Sequence, residues 1–150
     1  MKKYIILFAA IISFTLLKSQ TFLNIDIAKL NTALSNQKVT GYTFDNVSEF
    51  GGIIGSYKDA NGTELAIAFD SLSKFKEPLK DKKNIVIQYK KDKTNLIFYE
   101  NEYIVVLYIE LPQFNVTMSL TAYSTTTKEA LEKLYAEINP EVLLKSALVK

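Results

Sequence analysis

The chain has 150 residues, with 18 lysines, no arginine, 16 carboxylates and neither cysteine nor histidine. Without thiol or imidazole there is no disulfide, no cysteine nucleophile, no serine–histidine relay and no zinc site of the usual nitrogen or sulfur kind. Arginine's planar fork gives bidentate grip on phosphate and guanine, so a near-neutral chain that lacks it is a poor nucleic-acid binder.

Met1, Lys2 and Lys3 precede an uncharged run from Tyr4 to Leu17. This is the layout of a signal peptide, and the run is shorter than the roughly 20 residues a spanning helix needs. The expectation is a cleavable leader over 1–19, cut after the small residue Ser19, and a single domain over 20–150. The mature protein would be exported to the periplasm or the extracellular space, with no membrane span left after cleavage. Cleavage takes away three of the 18 lysines and no acid, leaving 15 against 16 carboxylates and a side-chain charge of −1. The precursor's basic balance therefore says nothing about the mature partner.

Asn24 is placed to cap a first helix over Ile25–Ser35, with Ile27, Leu30 and Leu34 on one face and Phe22 and Leu23 tucked beneath its start. The period then changes to two, and Gly41–Asp45 reads as a short strand ahead of Gly51-Gly52. Asn61-Gly62 is the preferred pair for a two-residue hairpin turn. That turn sets Asp59 opposite Glu64, Tyr57 opposite Ala66 and Ile54 opposite Phe69. Ile54, Leu65, Ile67 and Phe69 would then share the core side, and Ile53, Gly55, Tyr57, Ala66 and Ala68 the other.

Ser71–Lys83 is rich in lysine, contains Glu77-Pro78, and reads as a loop with one helical turn. Strands follow over Asn84–Tyr89, Thr94–Tyr99 and Tyr103–Leu111. The last is apolar at nearly every position, as in a central strand covered on both faces. Phe114–Tyr123 alternates Val116, Met118 and Leu120 with Thr117, Ser119 and Thr121, so one of its faces meets water. Thr126–Glu129 has the spacing of a capping box for a helix running to Ile138, and Asn139-Pro140 fits the start of a short final helix.

Together these elements predict an α+β fold: an antiparallel sheet of six or seven strands, an N-terminal helix and a C-terminal helix pair packed on it. The apolar Tyr103–Leu111 strand favours three layers, with Ile25–Ser35 on one face and Thr127–Ile138 on the other. The alternative covers are a second subunit, as in a homodimer, or an apolar ligand.

Carboxylates are the only strong acid–base groups available. Glu100, Glu102 and Asp70 near strand ends are the candidates for a glycan hydrolase, which needs two carboxyl groups about 5 to 10 Å apart. The competing account is a solvated Glu-Asn-Glu turn. Asp59–Glu64 is too short for a calcium loop, and neither a metal nor a cofactor is expected. Eight tyrosines in the mature chain could line a cleft, though tyrosine is also a favoured strand residue. The predicted ligand-binding residues are Tyr57, Ile53, Ala66 and Ala68. The expected function is a non-catalytic exported domain that binds a partner protein or a hydrophobic or amphipathic ligand in the cell envelope or outside the cell. The rivals are the carboxylate-dependent glycan hydrolase and a structural subunit of a surface assembly.

Overall fold

The computed structural model describes residues 24–49 and 51–149. The leader expected over 1–19, its cleavage bond, and Phe22 and Leu23 lie outside the described residues. No helix among the described residues is long and apolar enough to cross a membrane.

The fold is α+β, with seven antiparallel strands in the spatial order β1-β2-β3-β7-β6-β5-β4. In chain order these are helix α1 (Ile27–Ser35), β1 (Thr43–Glu49), β2 (Ile53–Lys58), β3 (Glu64–Ser71), a 3-10 segment (Leu72–Lys80), β4 (Ile85–Lys91), β5 (Thr94–Glu100), β6 (Ile104–Leu111), β7 (Val116–Tyr123), α2 (Lys128–Glu137) and α3 (Pro140–Ala147). Two meanders, β1–β3 and β4–β7, meet where β3 pairs with β7. The 3-10 segment is the crossover that carries the chain from β3 to the far edge.

The helix starts show which backbone donors the side chains satisfy. Asp26 caps α1 by accepting from the Lys29 amide at 3.1 Å. The cap is therefore not Asn24; one residue before Asp26, Ile25 bridges to Leu148 and ties the two ends of the domain together. Thr127 caps α2 by accepting from the Ala130 amide at 3.2 Å, so the cap sits one residue later than the Thr126–Glu129 spacing implied. Asn139 caps α3 as its sequence predicts, with Pro140 at the first helical position.

The β2–β3 hairpin corrects the predicted register. Its pairs are Ile53 with Phe69, Gly55 with Ile67, and Tyr57 with Leu65. The loop holds three residues, not two: the Gly62 amide bonds the Asp59 carbonyl, Gly62 takes φ +80°, and the Asp59 carboxylate accepts from the Asn61 and Thr63 amides. Glycine here supplies the left-handed residue that closes a three-residue hairpin. Because side chains alternate along a strand, a slip of one residue sends every side chain of one strand to the other face. Ile53, Gly55 and Tyr57 consequently join Leu65, Ile67 and Phe69, while Ile54, Ser56, Ala66 and Ala68 share the opposite face.

Following cross-strand partners from Tyr89 through Leu96, Ile109, Met118 and Phe69 to Ile53 shows that all three helices sit on one face. At one end of this path the Tyr57 hydroxyl reaches α1, and at the other Tyr89 reaches Glu132 on α2. The core between sheet and helices is one cluster, including Leu30 and Leu34 of α1, Leu131 and Leu134 of α2, Leu144 of α3, and the inward side chains of β2, β3 and β5–β7. Among the described residues the expected α-helical layer on the second face of the sheet is absent. The 3-10 segment lies there over β6 and β7, with its own Phe75 buried and Ile97 and Val106 buried beneath it. With its lysines and Glu77-Pro78 this stretch reads as a loop, yet it covers the second side of β6 as the apolar sequence of that strand demands.

Candidate functional site: the helix-free face of the sheet

The face away from the helices is built in rungs. One runs Ser56, Ala66, Thr121, Val106, Tyr99; the next runs Ile54, Ala68, Ser119, Tyr108, Ile97. Over β2, β3 and β7 these rungs hold mainly small side chains that rise little above the sheet. Over β5 and β6 they are large and lie under the 3-10 segment. Small residues beside large ones leave a depression. A hollow of about 440 Å³ opens there, floored by Ile54, Ser56, Ala66 and Thr121 and walled by Ile104 and Tyr123. Tyr123 is 54% exposed and turns an aromatic face to solvent. Ser48 and Glu64 supply polar groups at the rim.

A second hollow of about 490 Å³ lies where the 3-10 segment meets the sheet, lined by Asp70, Lys74, Glu77, Asp81, Tyr99 and Tyr108 among others. Most of its charges are already engaged. Lys74 pairs with Glu77 at 3.0 Å. Asp81 accepts from the Asn84 side chain and the Lys83 amide, each at 2.8 Å, and from the Tyr99 hydroxyl at 3.3 Å, and these bonds hold its carboxyl below the usual range. Burial raises the Tyr108 hydroxyl pKa. A third concavity, about 760 Å³, is the outer seam between α1 and α3, lined by Lys29, Thr32, Asn36 and Gln37 among others.

The predicted ligand residues divide between the faces. Ala66 lines the 440 Å³ hollow and Ala68 is next to it on the same face, but Tyr57 and Ile53 point into the helix-packed core. Tyr57 has no exposed surface, and burial pushes its hydroxyl up to about 12. Glu100 and Glu102 lie at the β5–β6 turn, whereas Asp70 is at the far end of β3, opposite Thr117. Five residues of β7 separate the levels of Thr117 and Ala122, about 17 Å at roughly 3.4 Å per residue, so Asp70 forms no close pair with either glutamate. Ser56, Ile104, Thr121 and Tyr123 were missed as site residues. The alternation in Phe114–Tyr123 had already set Thr121 toward water; the pairing of β7 with β3, which sequence does not reveal, places it beside Ala66.

The fold and this surface define an α+β protein with one helical layer and one partly bare sheet face. Comparison with protein-family models, curated proteins and solved structures finds no match.

Proposed function

We propose that the protein is an exported, non-catalytic binding domain whose helix-free face takes an apolar or amphipathic group, from a free ligand or a partner protein, in the hollow between Ile54 and Tyr123. The observation that carries this is the run of small side chains, Ser56, Ala66 and Thr121, set between larger apolar ones on a part of the face that no α-helix among the described residues covers. Apolar concavities with a few polar groups at the rim are the usual shape of small-molecule sites. Export is supported by the charge and hydropathy pattern of residues 1–17. The separation of Asp70 from Glu100 and Glu102 counts against Asp70 as a partner carboxylate in the hydrolase alternative.

The test is titration of the purified protein with an anilinonaphthalene dye, followed by dye fluorescence and by amide shifts. Shifts centred on Ile54, Ala66, Thr121 and Tyr123 are expected, and Ala66→Phe, which fills the hollow from a partly exposed position, should abolish them while leaving the unfolding midpoint in place. Dye binding that survives Ala66→Phe, or that maps to the α1–α3 seam, would sink the proposal.

A further inference from the structure

Charge is divided across the sheet along its strand order. Residues 72–93, which span the 3-10 segment and the β4 edge, hold eight lysines against three carboxylates, a net +5. Residues 41–71, which span β1–β3 on the other side, hold one lysine against five carboxylates, a net −4. The cations near β4 are also uncommitted. Among the described residues Lys76, Lys80, Lys82, Lys83, Lys90 and Lys93 belong to no ion pair, and all six are exposed. Two of the three acids between them are engaged elsewhere: Glu77 pairs with Lys74, and Asp81 lines the hollow under the 3-10 segment.

Asp81 also fixes how the nearest lysines are presented. Its carboxylate accepts from the Lys83 amide at 2.8 Å, the Asn84 amide at 3.3 Å and the Asn84 side chain at 2.8 Å, which holds residues 82–84 in a bend ahead of β4. The bend sets Lys82 and Lys83 at the Ile85 end of the strand, while Lys90 and Lys93 stand at the other end. Between these two groups lie Ile85, 53% exposed, and Ile87, 45% exposed; Leu79, also exposed, sits on the 3-10 segment, which packs against β4. Both isoleucines point to the helix side, but α2 joins β4 at its Tyr89–Lys91 end and leaves them open.

We infer that the β4 edge is a peripheral docking surface for an anionic bilayer, with Ile85, Ile87 and Leu79 entering the headgroup layer and the surrounding lysines meeting lipid phosphates. Exposed aliphatic side chains alone would fit any apolar partner, but the lysines around them select an anionic one. Apolar insertion combined with diffuse positive charge is the chemistry of a lipid surface and not of a soluble polyanion. Lysine suits the role. Its compact charge on a flexible stem follows mobile headgroups without the fixed fork of arginine, and the stem lies along apolar surface while the ammonium stays wet. The same leaflet repels the acidic β1–β3 side, so the charge division turns β4 toward the bilayer and keeps the Ala66 hollow on the half of the sheet that faces away.

Co-sedimentation of the exported, purified protein with vesicles tests this, comparing phosphatidylcholine alone with an about two-to-one mixture of phosphatidylcholine and phosphatidylglycerol. Binding to the mixed vesicles should far exceed binding to the neutral ones, and should weaken as salt shortens the screening length. Lys82→Gln/Lys83→Gln should weaken the partition about 25-fold, at roughly fivefold for each lysine near an anionic surface. Lys38→Gln/Lys145→Gln removes the same charge away from β4 and should change it by less than about threefold. Ile85→Ser/Ile87→Ser should weaken vesicle binding about tenfold while leaving retention on heparin, a soluble polyanion, in place. All variants share one N-terminus, so the Tyr4–Leu17 run contributes equally to each, and unfolding midpoints report whether each is folded. Equal binding to the two vesicle types, an unchanged partition in Lys82→Gln/Lys83→Gln, or an equal loss in Lys38→Gln/Lys145→Gln would each overturn the inference. Parent-like vesicle binding by Ile85→Ser/Ile87→Ser would overturn it too, by reducing the edge to a polyanion site. None of these results bears on ligand binding in the Ala66 hollow.

Discussion

The Tyr57 hydroxyl donates a 2.8 Å hydrogen bond to the Leu34 carbonyl in the last turn of α1, across 23 positions in sequence. Two residues before Tyr57, the backbone of Gly55 runs so close to the same helix that a Cβ there would come within 2.6 Å of Leu34 Cδ1. β2 thus holds α1 by two devices, a polar anchor and a missing side chain, and both face away from the hollow between Ile54 and Tyr123. Phe44 reinforces the first by standing edge-on to the Tyr57 ring at 5.4 Å.

Tyr57→Phe should therefore lower stability modestly and leave dye binding alone. The Leu34 carbonyl also accepts from the Gln37 amide at 3.0 Å, so removing the hydroxyl does not orphan it. The expected cost is about 1 kcal/mol, the net worth of one hydrogen bond. Tyr57→Ala would instead open a cavity in the core and cost roughly 3 to 5 kcal/mol. Urea unfolding measures both, and an intact fold whose dye affinity falls in Tyr57→Phe would restore Tyr57 to the binding site.

Gly55→Ala is the smallest substitution expected to overpack this contact. Leu34 is fully buried, so its methyl group cannot swing into solvent to make room. Inserting one carbon into a filled core costs roughly 1 to 3 kcal/mol. The same change at Ser56, Ser56→Ala, removes a hydroxyl from the opposite face and should move the midpoint far less. Comparing the two unfolding midpoints checks the assignment of faces directly.

How far the sequence carried this picture depends on the range over which each signal acts. Helix starts were legible at Asn139-Pro140 and nearly so at Thr127, because capping is decided within four residues. Of the strands, β7 was legible from its alternation and β6 from its unbroken apolar run. The faces of β2 and β3 were not, because Asn61-Gly62 serves a three-residue loop as readily as a two-residue one. The choice rests on whether Asp59 bonds the Asn61 and Thr63 amides, as it does here. That single residue of loop length moved Tyr57 from the expected cleft to the core. The cover over β6 was anticipated from its unbroken apolar run, but its source was not: the lysines and Glu77-Pro78 made Ser71–Lys83 read as a loop, and only Phe75 and Pro78 in the 3-10 segment are buried.

Glu132 gives the stability a specific acid limb. Its carboxylate accepts from Lys91 at 2.7 Å, Lys128 at 2.9 Å and the Tyr89 hydroxyl at 2.8 Å, and Lys128 also stands over the Tyr89 ring. The Lys91 bond, followed by that of Lys128, holds the folded carboxyl down to about 2, against an ordinary value of 4.5. A depressed folded pKa means that this contribution is complete above the unfolded value and is lost as pH falls through the folded one. Glu132→Gln should therefore be less stable than the parent at neutral pH, and the gap should close between about pH 4.5 and 2. Unfolding midpoints taken across that window supply the check; a gap that stays constant would mean that Glu132 acts through packing and not through its charge.

Phe75 is the anchor of the 3-10 cover, with only 1% of its surface exposed in a segment whose neighbours Lys74 and Lys76 are in solvent. The cover is held by this ring, Pro78, a 3.4 Å bond from the Thr117 hydroxyl to the Leu72 carbonyl, and a 3.2 Å bond from the Leu72 amide to the Asn115 carbonyl. Phe75→Ala removes the largest of these and should cost about 3 to 5 kcal/mol if the cover stays in place around the cavity. The cost would be smaller if the segment lifts, because water then fills the space, and lifting would bare Ile97 and Val106. Amide exchange separates the outcomes. A lifted cover speeds exchange in Leu72–Lys80 while the three helices keep their protection, since they are packed on the other side of the sheet. It would also extend the apolar surface next to the Ala66 hollow toward Tyr108, so Phe75→Ala should bind more dye per chain than the parent. Uniformly faster exchange across both faces would instead mark the 3-10 segment as part of the global folding unit.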